Sequence, residues 1–421
     1  MSMNGTPTPL AIIRVNPLIV ATGSETFWQR PSREAYWNSL QEAVDFHFNP
    51  VLNSKDPSIV FHDSIFYEFV RKRSFTKVSA TAEKLDTSQY PPLLQDFVNN
   101  MERRDYPVLI QPGGLCGAGA KDENEPPLIL LAIKSSELNF KNRQAIRNTW
   151  GRAGWVPGQS DRGGERRGGG YVRRIFLLGK ENFEDLGVNT TSLLRTENEL
   201  YGDILQWDFK DTFFNLTLKD VLFWKWFSHH CGSTKFIFKG DDDVFVNTHR
   251  MLTYLQEQLQ KPGAEETMKD FMVGYLLGSV EPIRDVYSKY FIPDTFYKGL
   301  YPTYESGGGV IYTGQLTKRL YEISQRVHLF PIDDTFVGMC MSRLNAMPSH
   351  HPAFLIYDFN AKEAEAECSH HTVLLLHKRS PAQLMSLWNN MKMTEEKCWN
   401  ATLRTSDSEG ENTPSTMTLP P

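Results

Sequence analysis

A chain of 421 residues, 40% hydrophobic and 23% charged, has ordinary globular composition and ample apolar material for a core. Its 45 Lys and Arg against 50 Asp and Glu leave a net charge of −5, which gives no electrostatic reason for a nucleic-acid partner. No segment approaches the roughly 18–20 apolar residues of a membrane span, since the best N-terminal candidate, Pro9 to Thr22, is broken by Arg14, Asn16 and Pro17. No signal peptide is recognisable, and the chain as given reads as soluble.

Residues 1 to about 30 are rich in turn formers and read as a stem or ill-ordered lead. Tyr36, Leu40, Ala43, Val44 and Phe46 predict a short amphipathic helix within Ser32–Phe48. Helical patches around Asp63–Val70 and Pro92–Met101, without a clear sheet, make the region up to residue 126 an extension packed on the main domain. That domain starts after the loop Gln111–Pro127. The continuous apolar run Leu128–Ile133 predicts a central parallel strand. Asn139–Trp150 then reads as a helix carrying Arg143 and Arg147 four residues apart on one face. Two guanidiniums so placed suit a diphosphate, or form a solvated basic face.

Gly151–Tyr171, with its Gly-Gly-Glu-Arg-Arg-Gly-Gly-Gly run, predicts a flexible loop. Val172–Leu178 and Ile204–Trp207 are the next strands, and Leu216–His229 is a helix. Its face of Leu218, Val221, Leu222 and Trp226, widened by Phe223, Trp224 and Phe227, reads as core. The apolar strand Lys235–Lys239 runs almost directly into Asp241, Asp242 and Asp243. Three adjacent carboxylates repel one another unless a cation offsets them. At the carboxyl end of an α/β strand they sit where such sheets bind ligands. A divalent metal bridging them to a nucleotide diphosphate accounts for the placement. The alternative is a solvated acidic turn, against which the immediate return to Val244, Phe245 and Val246 argues. The spacing does not fit an EF-hand.

A helix from about Thr248 to Leu259 ends at Lys261–Pro262–Gly263, and Phe271–Leu277 is a further strand. Gly307, Gly308 and Gly309 precede an apolar run, which lets backbone approach a ligand or simply makes a turn. Thr313–Arg326 reads as a helix. Pro331–Gly338 opens another, with Asp334 near an N-cap position, so capping is an alternative role for Asp333 or Asp334. Val373–Leu376 is a last strand ending in His377, followed by a helix Pro381–Lys392 and a tail, Thr405–Pro421, of disordered composition. Cys116, Cys231, Cys340, Cys368 and Cys398 lack the close pairing of a zinc site. They are either isolated thiols or bridges. Sequons at Asn4, Asn189, Asn215 and Asn400 lean towards the secretory route.

Taken in order, these pieces resemble the β-1,3-glycosyltransferases of glycosyltransferase family 31. The shared motifs run from Asn139–Phe140…Arg143…Thr149–Trp150 and Phe176–Gly179 to Tyr201–Ile204 and Asp211…Lys219. They continue through Lys239…Asn247 and Tyr301–Pro302…Gly309 to Asp333–Asp334…Gly338, so the resemblance spans roughly 127–398. Leu329–Asp334 is most similar to the branch that transfers N-acetylglucosamine to galactose of N-acetyllactosamine.

The resemblance implies an α/β protein of GT-A fold, a Rossmann-like nucleotide-binding half joined to an acceptor-binding half. The division would be 1–30 lead, 31–126 N-terminal extension, 127–402 catalytic domain and 403–421 tail. It implies Mn²⁺ held by Asp243 and His377, and a UDP-sugar held by Lys134, Arg143, Arg147, Asp241 and Asp242. Asp334 would be the catalytic base, with Tyr301, Glu305, Gly307, Gly308 and Asp333 on the acceptor side. The reaction would be inverting transfer of N-acetylglucosamine from UDP-GlcNAc to the 3-hydroxyl of terminal galactose, on a glycoprotein or glycolipid. Alternatives are a β-1,3-galactosyltransferase of the same family and a catalytically silent binding protein. The implied setting is the Golgi lumen, with homo- or hetero-oligomers among glycosyltransferases. The usual membrane anchor is missing, which leaves an incomplete gene model, an alternative start or a secreted form open. Tyr275 follows Gly274 where the family often has an acidic residue. From position and resemblance, the expected bridges are Cys340–Cys368 and Cys116–Cys231, with Cys398 unpaired.

Overall fold

The computed structural model describes residues 13–14, 34–49, 85–114, 116–119, 126–159, 165, 168–181, 190–306, 308–407 and 416–417. The expected helix at Asp63–Val70, nearly all of the N-terminal lead and more than half of the C-terminal tail lie outside these residues. No helix among them is long and apolar enough to cross a membrane.

Helix α1 (Tyr36–Phe48) and α2 (Pro92–Asn100) precede the sheet. Trp37 of α1 packs edge-on against Tyr297 and Phe330, and its indole N–H donates to the carbonyls of His328 and Leu329. Asp45 pairs with Arg343, whose Nε donates to it at 2.8 Å. The extension is therefore welded to the later chain by burial and a buried ion pair.

The central sheet begins with a short edge strand, β1 (Val108–Ile110), and then β2 (Ile129–Lys134). Every residue of β2 is buried because both faces of the sheet are covered, which explains its unbroken apolar run. After α3 (Phe140–Asn148) come β3 (Gly154–Pro157) and β4 (Gly169–Lys180). The loop expected over Gly151–Tyr171 is thus partly a hairpin, with Gly154 opposite Val172 and Pro157 opposite Gly169. Positive φ at Gly154 (101°) and Gly169 (137°) supplies the bends there. Helix α4 (Thr190–Tyr201), not foreseen, leads to β5 (Ile204–Lys210). Helix α5 (Leu216–His230) leads to β6 (Phe236–Asp241).

β2 pairs in parallel with β4 on one side and β6 on the other, and β5 adds in parallel to β4. The order β5–β4–β2–β6 means that the chain winds outward from β2 and then jumps back across it. The reversal opens a crevice at the carboxyl ends of β2 and β6, where open α/β sheets bind ligands. There the register sets Lys134 opposite Asp241. β7 (Phe245–Val246) and α6 (Thr248–Gln260) follow. The strand expected over Phe271–Leu277 breaks into β8 (Met272–Gly274) and β9 (Leu276–Leu277), because β9 leaves to pair with β10 (Tyr304–Glu305). β11 (Gly309–Thr313) lies antiparallel between β6 and β8.

Helices α7 (Gly314–Ser324) and α8 (Asp333–Arg343) complete one face with α5. β12 (Ser349–His350) closes the sheet edge beside β8. β13 (Phe354–Leu355) and β14 (Leu375–Leu376) form a small sheet with β7, and α9 (Pro381–Thr394) packs on α3. Alternate strand residues feed two cores. Leu130, Ala132 and Ile237 meet α5, α7 and α8, whereas Ile129, Leu131 and Phe236 share the other core with residues of α3, α6 and α9.

Two disulfides are present, Cys116–Cys231 and Cys368–Cys398, with Cα separations of 5.2 and 5.5 Å. The first is as expected; the second corrects the Cys340–Cys368 pairing. Cys340 is a free buried thiol in α8, packed in the core on the α5 and α7 side. Cys368 instead precedes a short turn that contacts α9, close to the end of which stands Cys398.

Candidate functional site

A cleft of about 490 Å³ occupies the crevice at the ends of β2 and β6. Its acidic floor comes from the turn after β6. Asp241 is the last residue of that strand, its N–H held by the Gly308 carbonyl at 3.2 Å. The chain then turns into β7, whose pairing with β14 carries His377 to the same place. The Arg379 N–H donates to the Asp243 carbonyl at 2.6 Å and locks that approach. One ligand atom from each of Asp241, Asp243 and His377 lies within 4.8 Å of the others. Asp243 Oδ1 is buried without a hydrogen-bond partner among the described residues, and His377 Nε2 is 3.5 Å from it. An orphaned carboxylate oxygen between a second carboxylate and an imidazole fits a divalent cation. Gly308 (φ 105°) makes room, because a Cβ there would stand 3.0 Å from the His377 ring.

Asp242 turns the other way. It accepts from Ser135 Oγ (2.6 Å), Asn139 Nδ2 (3.0 Å) and Asn142 Nδ2 (3.3 Å), at the start of α3. Burial raises its carboxyl to about 6 against the pull of the Ser135 and Asn139 donors. Asp241 is also raised, first by burial and despite the nearby Lys134.

Behind the floor runs a buried charge chain. Lys134 pairs with Asp333 and, at 3.3 Å, with Asp220, which also holds Lys239 at 3.0 Å. Burial works to strip Lys134 of its proton, but Asp220 and Asp333 keep its pKa well above the ordinary lysine value. Burial also works to raise Asp333; Lys134 and Lys239 overcome it and hold that carboxyl low. Asp334 goes the opposite way, raised well above the usual carboxylate range by burial and then by the charge of Asp333. Two adjacent carboxyls are driven apart, one kept as an anion and one able to take a proton. Both lie in the first turn of α8, whose N-cap is Ile332 with no side-chain cap bond, so neither serves as the cap.

Tyr301 and Tyr304 line the cleft, and the Tyr301 hydroxyl is unpartnered among the described residues. Glu305 does not line it. The strand alternation turns its side chain toward Gly274, where both carboxyl oxygens are buried without partners among the described residues. Gly307 lies outside the described residues.

Arg143 and Arg147 require correction as free cations. Neither lines the cleft and neither forms a solvated face. Arg143 is wholly buried and donates to both Glu197 oxygens at 2.9 and 2.8 Å. Arg147 grips Asp203 at 2.9 and 2.7 Å and Glu197 at 2.7 Å, and Arg174 shares Asp203. Their partners lie in or just beyond α4, fifty or more residues along the chain. The cleft draws instead on Asp211 and Lys219, which the sequence marked only as a shared motif without a role, and on Lys289, Tyr290 and Tyr357, which it did not single out. Lys219 Nζ donates to the Ser135 carbonyl at 2.6 Å and pairs with Asp211 at 2.9 Å. Lys289 Nζ stands 5.1 Å over the Tyr290 ring. For Asp220 a signal existed, a lone carboxylate inside the apolar stretch Leu218–Phe227. Lys289 has none.

The family model described as Galactosyltransferase matches residues 141–352. N-acetyllactosaminide β-1,3-N-acetylglucosaminyltransferase 2 of Mus musculus is 38% identical over 378 residues, 89% of this chain and 89% of that protein. The Homo sapiens protein of the same name is 37% identical over 375 residues, again 89% of each. UDP-GlcNAc:betaGal β-1,3-N-acetylglucosaminyltransferase 7 of Rattus norvegicus is 35% identical over 303 residues, 71% of each chain.

Proposed function

This chain belongs to the galactosyltransferase family, and on that premise we propose that it transfers N-acetylglucosamine from UDP-GlcNAc to the 3-hydroxyl of a terminal galactose in lactosamine-type glycans, with inversion. The observation that carries this reading is the pairing, in one cleft, of a proton-accepting Asp334 with the Asp241, Asp243 and His377 cluster. The names of the relatives supply the donor and acceptor class.

Asp334 accepts the proton of the acceptor hydroxyl as that oxygen attacks the anomeric carbon, and the sugar–phosphate bond breaks on the opposite side. Its raised pKa makes it a stronger base than an ordinary carboxylate. Lys134 keeps Asp333 anionic and fixed, so that Asp333 can accept hydrogen bonds from sugar hydroxyls without competing for the proton. Asp242, anchored on Ser135 and Asn139, positions the nucleotide side of the cleft. Asp243 and His377, with Asp241 beside them, would hold the metal, Mn²⁺ in this reading. When bound, that cation neutralises charge growing on the departing UDP. Lys289 and Tyr301 contribute to the acceptor side of the wall.

The two disulfides and the exposed sequon residue Asn400 support a luminal setting, which we assign to the Golgi. The test is transfer by purified protein with Mn²⁺, a lactosamine acceptor and either UDP-GlcNAc or UDP-galactose. N-acetylglucosamine transfer is expected. Preferred galactose transfer would replace this reading with a β-1,3-galactosyltransferase, and nucleotide binding without turnover would replace it with a silent family member.

A further inference from the structure

A second cavity, of about 50 Å³, lies between the N-terminal turn of α6 and helix α9. None of its lining residues belongs to the cleft. Arg250 retains 9% of its exposure, and its Nη2 has no hydrogen-bond partner among the described residues. Burial pulls its pKa down to about 10, so it stays cationic near neutrality. The indole N–H of Trp388, a second lining residue, is also unpartnered there. Lys392 adds an ammonium, its Nζ 5.5 Å from the Trp388 ring centre. His371 brings no charge, because burial and then Arg250 lower its pKa to about 4. Glu395 is the one carboxylate in the lining. The cavity also meets the positive end of the 13-residue α6, beside its Asn247 cap.

A buried guanidinium nitrogen and a buried indole N–H, both lacking acceptors, are costly to leave so. An acceptor-only ligand would satisfy both. The space suits a group of a few heavy atoms and excludes a nucleotide or a sugar chain. Within the lining two cations face one carboxylate, and Glu257 outside it also acts on Arg250, so the balance suits no more than a single added negative group. We propose that this cavity is a site for one small oxyanion, a sulfate, phosphate or carboxylate group, bound through Arg250 and Trp388 with Lys392 supplying charge. Its occupation ties α9 to the start of α6, and so braces the segment that ends in the Cys368–Cys398 bridge.

The test follows thermal unfolding of the full chain in sodium sulfate or sodium phosphate, against sodium chloride at equal ionic strength. The expected result is a saturable rise in melting temperature with sulfate or phosphate. In R250M the apparent affinity falls roughly tenfold or more, the usual consequence of losing a charge-assisted bond. K392M, a change at a more exposed position, weakens it less and decides the matter if R250M does not fold. D243A, in the cleft, leaves the rise intact. An unsaturated rise common to all variants, which is general salt exclusion, overturns the proposal. So does K392M matching the wild type, or loss of the rise in D243A, which would move the anion into the cleft.

Discussion

At the scale of single residues the cleft depends on neighbouring carboxyls having opposite fates. D334N should keep nucleotide and metal binding and lose transfer by ~10²–10⁴-fold, the usual worth of a positioned base. Near wild-type turnover would remove Asp334 from that role. Because Asp334 is raised, the acid limb of the pH–rate profile should lie above the ordinary carboxylate range, with kcat falling as pH drops through it. Glu305 offers a stability test. Unfolded, it titrates near 4.5; folded, burial and then Asp334 hold its proton to a much higher pH. Its contribution is therefore complete below the unfolded value and is lost as pH rises through the folded one. E305Q cannot ionise, so its melting temperature should gain on the wild type steadily above about pH 4.5. A difference that stays flat from pH 5 to 8 would show that Glu305 ionises freely.

Elements explain which parts of this molecule could be read from the chain. β2 was legible because a strand buried on both faces must be apolar throughout, and β6 because the acidic run marked its end. β4 and β5 show the pattern less cleanly, with buried Arg173, Arg174 and Gln206 among their apolar residues. Helix α4 was not, because Leu193 and Leu200 are 51% and 72% exposed while Leu194 and Glu197 are buried. Its apolar residues do not mark its buried face. Arg143 and Arg147 looked like ligand-binding cations because their counter-ions arrive with that unforeseen helix and the turn after it. The tripeptide of glycines was legible as a close approach, but what approaches Gly308 is His377. G308A should cost about 1–3 kcal/mol from its left-handed backbone. It should also raise the metal concentration needed for activity, as the new methyl pushes the ring aside. Unfolding curves and a metal titration check the two effects separately, and an unchanged titration would sever Gly308 from the metal site.

Across the whole molecule, the Cys116–Cys231 bridge closes a loop spanning 115 residues and most of the parallel sheet. On chain-entropy grounds it is worth ~5 kcal/mol, against ~3.5 kcal/mol for Cys368–Cys398 with its separation of 30. C116S/C231S should therefore lower stability more than C368S/C398S in denaturant titrations, and the reverse order would contradict the loop-closure account. The cleft carries a further imbalance. Glu181, Asp211, Asp241, Asp242, Asp243, Glu281 and Asp334 outnumber Lys134, Lys219, Lys289 and Lys378 around it. Lys134 is moreover already engaged with Asp220, while Lys219 and Asp211 neutralise each other, so an acidic excess remains. Such a surface attracts a divalent cation and repels a diphosphate until the cation is in place. In kinetic terms the consequence is an ordered addition, cation before sugar nucleotide. Initial-rate patterns at varied metal and UDP-GlcNAc should then intersect as for a compulsory sequence, and UDP alone should bind more tightly as salt rises, whereas random order with salt-weakened UDP binding would mean that the lysines govern entry.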